Sequence, residues 1–463
     1  MSVLVIKRDG RKVPFDKAKI IQAVLKAFVG VDEEEDFGKR TANAVAHYVE
    51  QNAYDGITVE EIQDMVEQRL MASNRKDVAK AYILYRNERN RQRNNKMALR
   101  KKVLEKLSAS DVQNSNANMD ERTFGGRMGA ACSEVTKDVA LNDVMSEMAR
   151  INHEDNMIYT HDLDSYVIGD HNCLSIPFDD LLNNGFSVKQ TDVRPAQSVN
   201  TAFQLLAVIM QIQSLQQFGG VSATHLDHTM VPYVRKSFYK HYSDGCKYIG
   251  HLDENNISKV VEYAKNNMLS IEDEYFKEDN EIYQYAYDMT EKEVKQAIEG
   301  MFHNLNTLQS RSGNQLPFSS INCGTCTLPE GRMVTKWVYQ TLIDGLGKLH
   351  RTSIFPCVIH QYWKGINDKP GTPNYDLYRL ALKATATRLY PNYANVDWSG
   401  NVGYDRNDPK TYFSTMGCRT ANGWDINGLG QLKDGRGNIC PVTIILPTLA
   451  MMAKEQAWEQ LPQ

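Results

Sequence analysis

The sequence predicts an α/β protein in which a small, mainly helical unit precedes a larger domain of mixed helices and strands. Apolar residues recur at helical spacing between residues 16 and 85, which favours helices in the first unit. Beyond residue 118, helical stretches alternate with short apolar strands in SIPFDDLL, LPFSSINCGT, IFPCVIH and PVTIILPTL. Alternation of this kind is typical of parallel strands that are connected by helices.

A polar segment from Arg86 to Asn118 separates the two parts. It is basic at first and then rich in Ser and Asn, which is typical of a helix end followed by a linker. We therefore predict a helical domain at residues 1–92, a linker at residues 93–118 and an α/β domain at residues 119–463. The basic run favours a solvated helix face over a nucleic-acid contact.

The composition excludes several classes of protein. The 463 residues are 42% hydrophobic, which is enough for a large core. Lys and Arg total 53 against 57 Asp and Glu, so small-molecule ligands are favoured and no nucleic-acid partner is expected. The chain has neither a signal-like apolar segment nor a run of roughly 18 apolar residues, so we predict a cytoplasmic protein without a membrane partner. The eight scattered cysteines predict reduced thiols.

Local signals mark the elements of the first unit. Two β-like runs flank Asp9-Gly10, a pair suited to a hairpin turn. Asp16 can cap a helix that stops at Gly30, and Thr58 with Glu61 has the spacing of a capping box. The apolar positions of the four predicted helices are Ile20, Ile21, Val24, Leu25 and Phe28; Ala42, Val45, Ala46 and Val49; Ile62, Met65, Val66 and Leu70; and Val78, Tyr82 and Tyr85.

Basic side chains surround this hairpin and the start of the first helix. They are Lys7, Arg8, Arg11, Lys12, Lys17 and Lys19. A helix N-terminus attracts anions, and nearby lysines can add contacts to phosphate oxygens. A solvated basic hairpin fits the charges equally well, so charge alone leaves both interpretations open.

The combination of motifs in this unit resembles the ATP-cone, the small allosteric domain of many ribonucleotide reductases. The matching stretches are VIKRDGRKVPFDKAKI, ITVEEI and AYILYR. The resemblance implies that ATP and dATP bind as allosteric effectors that switch activity on and off. It also implies nucleotide contacts from Val5, Lys7, Arg8, Lys19 and Thr58, although Thr58 can serve as a helix cap at the same time.

Several residues of the second domain could carry chemistry, but taken singly none is decisive. Cys418 in STMGCRT could be a buried filler, a metal ligand, half of a disulfide or a reactive centre. Cys173 alone fits a small buried side chain, and Asn438 alone fits a turn residue. Cys323 and Cys326 could form a redox pair or half a metal site, but no second pair is near, so we favour two buried thiols.

One further stretch invites a metal interpretation. It is THDLD, which contains His161, Asp162 and Asp164, all of residue types that bind metals. The residue types alone leave a metal-binding role open, and the family resemblance described below favours a structural or supporting role. No metal site is predicted for the chain.

Many stretches beyond the linker resemble the anaerobic, class III ribonucleoside-triphosphate reductases, a glycyl-radical family. These stretches are NSNANMDERTFGGR, IYTHDLDSY, HNCLSIPFDDLLNNGF, QQFGGVSATHLD, PYVRKSFYKH, RLYPNY, STMGCRT and KDGRGNICPVTIILP. The resemblance implies a ten-stranded α/β barrel, incomplete here, behind the cone. Formate-lyases share the radical chemistry but lack a cone, so they fit less well.

The resemblance implies a radical reduction of ribonucleoside triphosphates to 2′-deoxyribonucleoside triphosphates. Cys418 would be the thiyl-radical cysteine that takes hydrogen from C3′ of the ribose, and Cys173 the second cysteine, on the opposite face. Asn438 would bond the ribose hydroxyls or formate. Met416 together with Asn438 is similar to the subgroup that uses formate as the reductant.

The resemblance also implies effector specificity and partners. Lys240 is the main candidate for a phosphate contact at a specificity site in a homodimer, with Gln211 and Gln217 as further candidates. A radical S-adenosylmethionine activase would generate the glycyl radical.

The family also has a four-cysteine zinc site and an R-x-C-G-Y radical loop, and neither motif occurs in these residues. We therefore expect the zinc site to be absent from this chain and the radical to be supplied from outside it. Either a second polypeptide completes a split enzyme, or the chain is a catalytically silent nucleotide-binding fragment.

Overall fold

A computed structural model describes residues 3–29, 35–74, 76–108, 123–168, 171–189, 191–309, 315–417, 420–421, 428 and 430–459. The chain divides into two compact units, Met1–Lys102 and Val103–Gln463. No helix in the described part of the chain is both long enough and apolar enough to cross a membrane.

The first unit is a three-stranded sheet with four helices. The elements are β1 (Leu4–Ile6), β2 (Lys12–Pro14), α1 (Lys17–Val29), α2 (Glu35–Asn52), β3 (Ile57–Thr58), α3 (Val59–Met71) and α4 (Lys76–Ser108). Strand β1 pairs antiparallel with β2 and parallel with β3, so β1 is central. The helices bury the apolar stripes expected from the sequence, including Val24, Ala46, Leu70 and Val78.

The predicted local signals of this unit are confirmed where the structure describes them. Gly10 has a φ of +81° at the hairpin turn, a backbone conformation that glycine adopts without a steric penalty. Asp16 Oδ1 accepts a hydrogen bond from the Ala18 amide at 3.0 Å. Thr58 and Glu61 form the complete capping box of α3. Gly30 lies outside the described residues.

The predicted linker is helical in its first half. Helix α4 continues without a break through residues 93–108, whereas residues 109–122 lie outside the described part. The stretch KMALRKKVLEKL consists mostly of strong helix formers, and their propensity explains why the helix extends beyond the cone. The predicted linker is therefore helical over residues 93–108, and the boundary between the two compact units falls within it.

The second unit is built on a parallel sheet, which confirms the α/β class. Its five strands are β5 (Leu174–Ser175), β8 (Val221–Ala223), β9 (Ser319–Cys323), β10 (Cys357–Tyr362) and β11 (Asn392–Asn395). They follow the order β11-β10-β9-β8-β5, and every neighbouring pair is parallel. Within the described residues this sheet has half the strands of the barrel that the resemblance implies.

The described part of this unit also contains twelve α-helices. They are α5 (Phe124–Val139), α6 (Glu147–Glu154), α7 (Phe178–Asn184), α8 (Val199–Gln213), α9 (Leu226–Thr229), α10 (Val231–Tyr248), α11 (Glu254–Asn266), α12 (Glu274–Lys277), α13 (Asn280–Thr307), α14 (Pro329–Asp344), α15 (Tyr375–Arg388) and α16 (Leu446–Glu459). Helices α8, α9 and α15 contact strands of the parallel sheet, and helix α13 packs against α8, α10 and α14. All five residues of β9 are buried, as expected for a central parallel strand with both faces covered.

Three two-stranded ladders complete the described unit. They pair β4 (Ile158–Thr160) with β14 (Val442–Ile444), β6 (Phe186–Val188) with β7 (Thr191–Val193), and β12 (Thr415–Met416) with β13 (Thr420–Ala421). The run PVTIIL therefore does form a strand, but it pairs antiparallel with β4 outside the parallel sheet. All three residues of β14 are exposed.

Candidate active site

Asn438 is anchored to Cys173 by both its backbone and its side chain. The Cys173 amide donates to Asn438 Oδ1 at 2.8 Å, and the Asn438 amide donates to the Cys173 carbonyl at 3.0 Å. The Asn172 amide donates to the Asn438 carbonyl at 2.8 Å. Cys173 directly precedes β5, so these bonds attach the segment around Asn438 to the outer edge of the sheet. The two residues singled out from the sequence are therefore neighbours.

The backbone at Gly219-Gly220 lies close to Cys173 and to the preceding residue, Asn172. A Cβ atom on Gly219 would lie 1.9 Å from Asn172 Oδ1, and one on Gly220 would lie 3.0 Å from the Gly417 Cα. The Gly220 amide donates to Cys173 Sγ at 3.2 Å, and the Cys173 thiol donates a hydrogen bond to Asn172 Oδ1 at 3.2 Å. Glycines are required here because two other backbone segments approach this turn.

The described segment before Cys418 ends at Gly417, and Gly417 lies close to Cys173. A Cβ atom built on Gly417 would lie 3.7 Å from Cys173 Sγ, and the residue has a φ of +62°. Its amide donates to Ser320 Oγ at 3.0 Å. Residue Thr415 is held by Asn322, whose side chain bonds both its amide and its carbonyl. Cys418 and Arg419 themselves lie outside the described residues.

A cavity of about 240 Å³ opens beside Cys173. Met416, which is 1% exposed, forms part of its wall, as does Asp162. The other lining residues are His161, Asn172, Phe218, Gly219, Gly220, Phe318 and Thr420. The cavity therefore combines a thiol with polar groups and an apolar wall at the amino ends of β5, β8 and β9.

The THDLD residues bond to the protein itself. His161 Nε2 lies 2.6 Å from Thr443 Oγ1, Asp162 Oδ2 accepts from Asn172 Nδ2 at 3.4 Å, and Asp164 Oδ2 accepts from Ser133 Oγ at 2.7 Å. Asp162 thus reaches Asn172, the neighbour of Cys173. These contacts agree with the structural role favoured from the sequence.

Cys323 and Cys326 are two free, buried thiols, as expected. Burial raises the pKa of both thiols, and the charge of Asp227 raises it further. The loop between them curls around Asp227, whose Oδ2 accepts hydrogen bonds from the amides of Gly324, Thr325 and Cys326 at 2.8–3.0 Å. The close cysteine pair thus belongs to a loop that holds a buried carboxylate.

Sequence reasoning missed a buried hydrogen-bonded chain at the carboxyl ends of β5 and β8. His225 Nε2 lies 3.1 Å from Asp179 Oδ2, and His225 Nδ1 lies 2.7 Å from Thr224 Oγ1. Thr224 Oγ1 in turn donates to Asp434 Oδ1. The two aspartates face opposite nitrogens of one imidazole ring, an arrangement for hydrogen bonding rather than for a shared metal ion. Without a motif spacing, only the fold brings these residues together.

In the first unit, the β1–β3 register gathers most of the predicted nucleotide contacts. Val5 pairs with Ile57 and Ile6 pairs with Thr58, so Lys7 and Arg8 follow at the same end of the sheet. Arg8 forms a two-pronged ion pair with Glu60, and its Nη2 also donates to Gln63 at 2.9 Å. The Lys19 ammonium lies 3.4 Å from the Asp16 carboxylate, at the start of α1. The Thr58 hydroxyl takes part in the capping box.

The structure separates the three residues considered for a specificity site. Lys240 lines a groove of about 770 Å³ together with Arg235, Lys236 and Lys265. Gln211 instead donates to the Asn304 carbonyl at 3.3 Å. Gln217 is buried, and its amide donates to the carbonyls of Asn172 and Gly220 at 3.2 and 2.7 Å. Gln217 therefore supports the Cys173 turn, because its side chain is used there.

Comparison with known proteins identifies the class to which this arrangement belongs. The family model "Anaerobic ribonucleoside-triphosphate reductase" matches residues 115–463, and the model "ATP cone domain" matches residues 3–91. The chain belongs to the anaerobic ribonucleoside-triphosphate reductase family and carries an N-terminal ATP cone.

Individual relatives support the same assignment. Anaerobic ribonucleoside-triphosphate reductases of Salmonella typhimurium and Haemophilus influenzae are 31% and 29% identical to it over 98% of this chain. The chain spans 59% of the length of each. A solved anaerobic ribonucleotide reductase from Thermotoga maritima, in complex with dATP and CTP, matches 78% of this chain and 57% of its own at 12% identity, with a TM-score of 0.45.

Proposed function

We propose that this chain supplies the thiol chemistry for the anaerobic reduction of ribonucleoside triphosphates to 2′-deoxyribonucleoside triphosphates. The observation that carries the proposal is the anchoring of Asn438 to Cys173 beside Gly417, the residue before Cys418. Gly417 directly precedes Cys418 in the sequence, which supports the assignment of the thiyl role to Cys418. The glycyl radical that starts the reaction is assigned to polypeptide outside these residues.

The proposed reaction balances with formate as the reductant. A ribonucleoside triphosphate, formate and a proton give the deoxyribonucleoside triphosphate, carbon dioxide and water. The Cys418 thiyl radical takes the hydrogen atom from C3′ and returns it at the end, because S–H and activated ribose C–H bonds have similar strengths. The 2′-hydroxyl leaves as water, and formate supplies the two electrons.

Cys173 is proposed to deliver hydrogen to the radical intermediate. Its thiol lies in the wall of the cavity and is held by Gly220 and Asn172. Asn438 uses Oδ1 to fix the Cys173 amide, whereas its Nδ2 group bonds to no other described residue. That group is therefore available to donate to a ribose hydroxyl or to formate. Met416 supplies an apolar wall that limits water.

The cone is proposed to bind ATP and dATP as allosteric effectors. Basic side chains at the end of β1 and the start of α1 can contact phosphates, and Val5 lies on the same strand. Arg8 is already bonded to Glu60, so a phosphate group has to compete with that carboxylate. The affinity of the cone for nucleotide therefore depends on this ion pair.

The Lys240 groove is proposed as a second effector site, which sets substrate specificity in a homodimer. Arg235 in this groove pairs with Glu330 at 2.8 Å, and Lys236 donates to the Ala196 carbonyl at 2.9 Å. No ion pair is formed by Lys240 in the described part of the chain, and it is exposed. Its charge is thus available for a phosphate group, and Gln211 and Gln217 are not needed there.

The test is an anaerobic assay of the chain with the glycyl-radical polypeptide, a radical S-adenosylmethionine activase, S-adenosylmethionine, formate and CTP. The wild-type protein is expected to form dCTP, and Cys418→Ser to form none, because a serine O–H bond is too strong for the exchange. Cys132→Ser, at an exposed cysteine of α5, is the matched control and should retain activity.

A glycyl radical without dCTP formation by the wild-type chain would contradict the proposal. Retained nucleotide binding in that case would instead favour a catalytically silent nucleotide-binding fragment. Residual dCTP formation by Cys418→Ser would contradict the thiyl role of this residue.

A further inference from the structure

The segment Lys433–Asn438 runs along the outer edge of β5, from the carboxyl end of the sheet to its amino end. The Gly435 amide donates to the Ser175 carbonyl at 3.1 Å, and the Arg436 amide donates to Ser175 Oγ at 3.0 Å. Gly437 forms an antiparallel bridge with Leu174. Asn438 then reaches Cys173 at the far end. The position of Asn438 therefore depends on how the segment is held along its length.

The other end of the segment is held by the buried chain of Asp179, His225, Thr224 and Asp434. Asp434 is 7% exposed, and Thr224 Oγ1 donates to its Oδ1. Its Oδ2 is buried without a hydrogen-bond partner in the described structure. Thr224 is therefore the only donor that the described residues offer to this carboxylate. A buried carboxylate without a donor would cost substantial free energy.

With both aspartates ionised, the count of protons in this hydrogen-bonded chain requires a charged imidazole. Asp179 accepts from Thr229 Oγ1 at 2.6 Å and lies 3.1 Å from His225 Nε2, so the Nε2–H group donates to it. Thr224 has one hydroxyl proton and gives it to Asp434. His225 Nδ1, 2.7 Å from Thr224 Oγ1, must then donate as well. Both ring nitrogens carry protons, and His225 is an imidazolium held by two carboxylates.

We propose that the chain Asp179–His225–Thr224–Asp434 is a proton-dependent clamp that positions the segment Lys433–Asn438, and with it Asn438, against Cys173. The inference rests on the proposed function, since it concerns how a residue of that site is placed. When His225 loses a proton, Nδ1 becomes an acceptor. Thr224 can then satisfy either Nδ1 or Asp434, but not both. Asp434 loses its donor, and the segment loosens.

The surroundings favour the charged ring. Burial by itself lowers the pKa of His225, but the hydrogen bond to Asp179 and the charges of Asp434, Asp179 and Asp227 outweigh it, and the pKa is raised. Burial is also the main cause of the raised pKa of Asp434, and the charge of Lys410 opposes it. His228, whose ring centroid lies 6.5 Å from that of His225, has a lowered pKa because it is buried.

The direction of the pH effect follows from the raised pKa of His225. A group whose pKa is higher in the folded state than in the unfolded state stabilises the fold. This stabilisation is complete below the unfolded-state pKa, and it is lost as pH rises through the folded-state pKa. The clamp is therefore closed below the folded pKa of His225, and it opens as pH rises through that value.

Hydrogen exchange of the full chain, followed by mass spectrometry between about pH 6 and pH 9, tests the proposal. Peptides that cover Lys433–Asn438 report on the amides of Gly435, Arg436 and Asn438. After correction for the intrinsic exchange rate, their protection in the wild type is expected to fall roughly tenfold as pH rises, the effect of one lost hydrogen bond to a buried charge.

Three variants separate a clamp from a merely structural role. Asp434→Asn keeps the shape but removes the charge, so protection should become nearly independent of pH. Thr224→Val should lower protection and remove the pH step, whereas Thr224→Ser should restore it. Asp192→Asn, in an exposed aspartate bonded to Ser187, is the control and should keep the wild-type step.

The proposal is overturned if the wild type shows no pH step, or if Asp434→Asn keeps the full step. A stoichiometric divalent metal whose removal by a chelator abolishes the step would also overturn it, because a cation would then bridge these groups. The readout does not depend on turnover. A chain that shows the step but reduces no ribonucleotide would contradict the proposed function alone.

Discussion

We assign two tasks to the side chain of Asn438, one observed and one proposed. Its oxygen accepts a hydrogen bond from the Cys173 amide, and its nitrogen, which donates to no other described residue, is proposed to donate to a ribose hydroxyl or to formate. A turn asparagine, the simplest interpretation of the sequence, would need neither contact. The two tasks can be separated by substitution because they use different atoms of the same amide.

We expect Asn438→Asp to keep the fold and to weaken the use of formate. The carboxylate still accepts from the Cys173 amide, so thermal stability should stay close to that of the wild type. It cannot donate, and its charge repels formate, so the KM for formate should rise about tenfold or more. Asn438→Ala loses both functions and should also destabilise the protein by about 1 kcal/mol.

Formate kinetics and thermal unfolding of both variants check this prediction. Gln197→Ala, in an exposed side chain that bonds to the Pro195 carbonyl, is the control. Equal formate kinetics in Asn438→Asp and the wild type would contradict the donor role.

At the scale of elements, the active site depends on how closely backbone segments approach one another. The turn at Gly219-Gly220, the start of β5 and the segment ending at Gly417 meet where side chains would not fit. In the sequence, the QQFGG motif indicated only a family resemblance. In the structure, its two glycines lack the Cβ atoms that would clash where the three segments approach one another.

We expect Gly219→Ala to destabilise the protein by roughly 1–3 kcal/mol or more, because the new Cβ would overlap Asn172. Gly300→Ala is the matched control: it lies in α13, and its Cβ would meet no atom within 4 Å. A helical glycine replaced by alanine should raise stability by about 0.5–1 kcal/mol. Denaturant unfolding measures both changes, and equal effects would show that the close approach is unimportant.

At the scale of the whole molecule, a cone unit and an α/β unit are joined in one chain. The cone has its own core, and the second unit has another. We propose that control by ATP and dATP starts from binding to the cone. The ion pair between Arg8 and Glu60 would then compete with the nucleotide phosphates for Arg8.

We expect Glu60→Gln to tighten ATP binding to the full chain by about two- to fivefold, because it frees Arg8 from an exposed ion pair. Arg8→Ala should weaken binding. Asp9→Asn releases Arg11 from a similar exposed pair and serves as the control, with little expected change. Isothermal titration with ATP measures all three, and an unchanged affinity in Glu60→Gln and Arg8→Ala would contradict the assignment.

Local structure was predictable wherever neighbouring residues decide it. The hairpin at Gly10, the Asp16 cap and the capping box of α3 were all confirmed, since each needs only residues within a few positions. Residues 93–108 of the predicted linker are helical, because these residues favour helix although their composition is polar. No local signal indicated that Gln217 is buried beside the Cys173 turn, because this burial depends on distant segments.

The sequence by itself determined the cone, the α/β class, and the motifs around Cys173 and Asn438. Patterns of periodicity, capping and motif identity are local, and the chain carries them whatever its final shape. Only the tertiary structure decided that Asn438 binds Cys173, that Asp227 fills the loop between Cys323 and Cys326, and that His225 lies between two aspartates. These contacts join residues that are far apart in the chain, and no spacing rule encodes them before the parallel strands are in place.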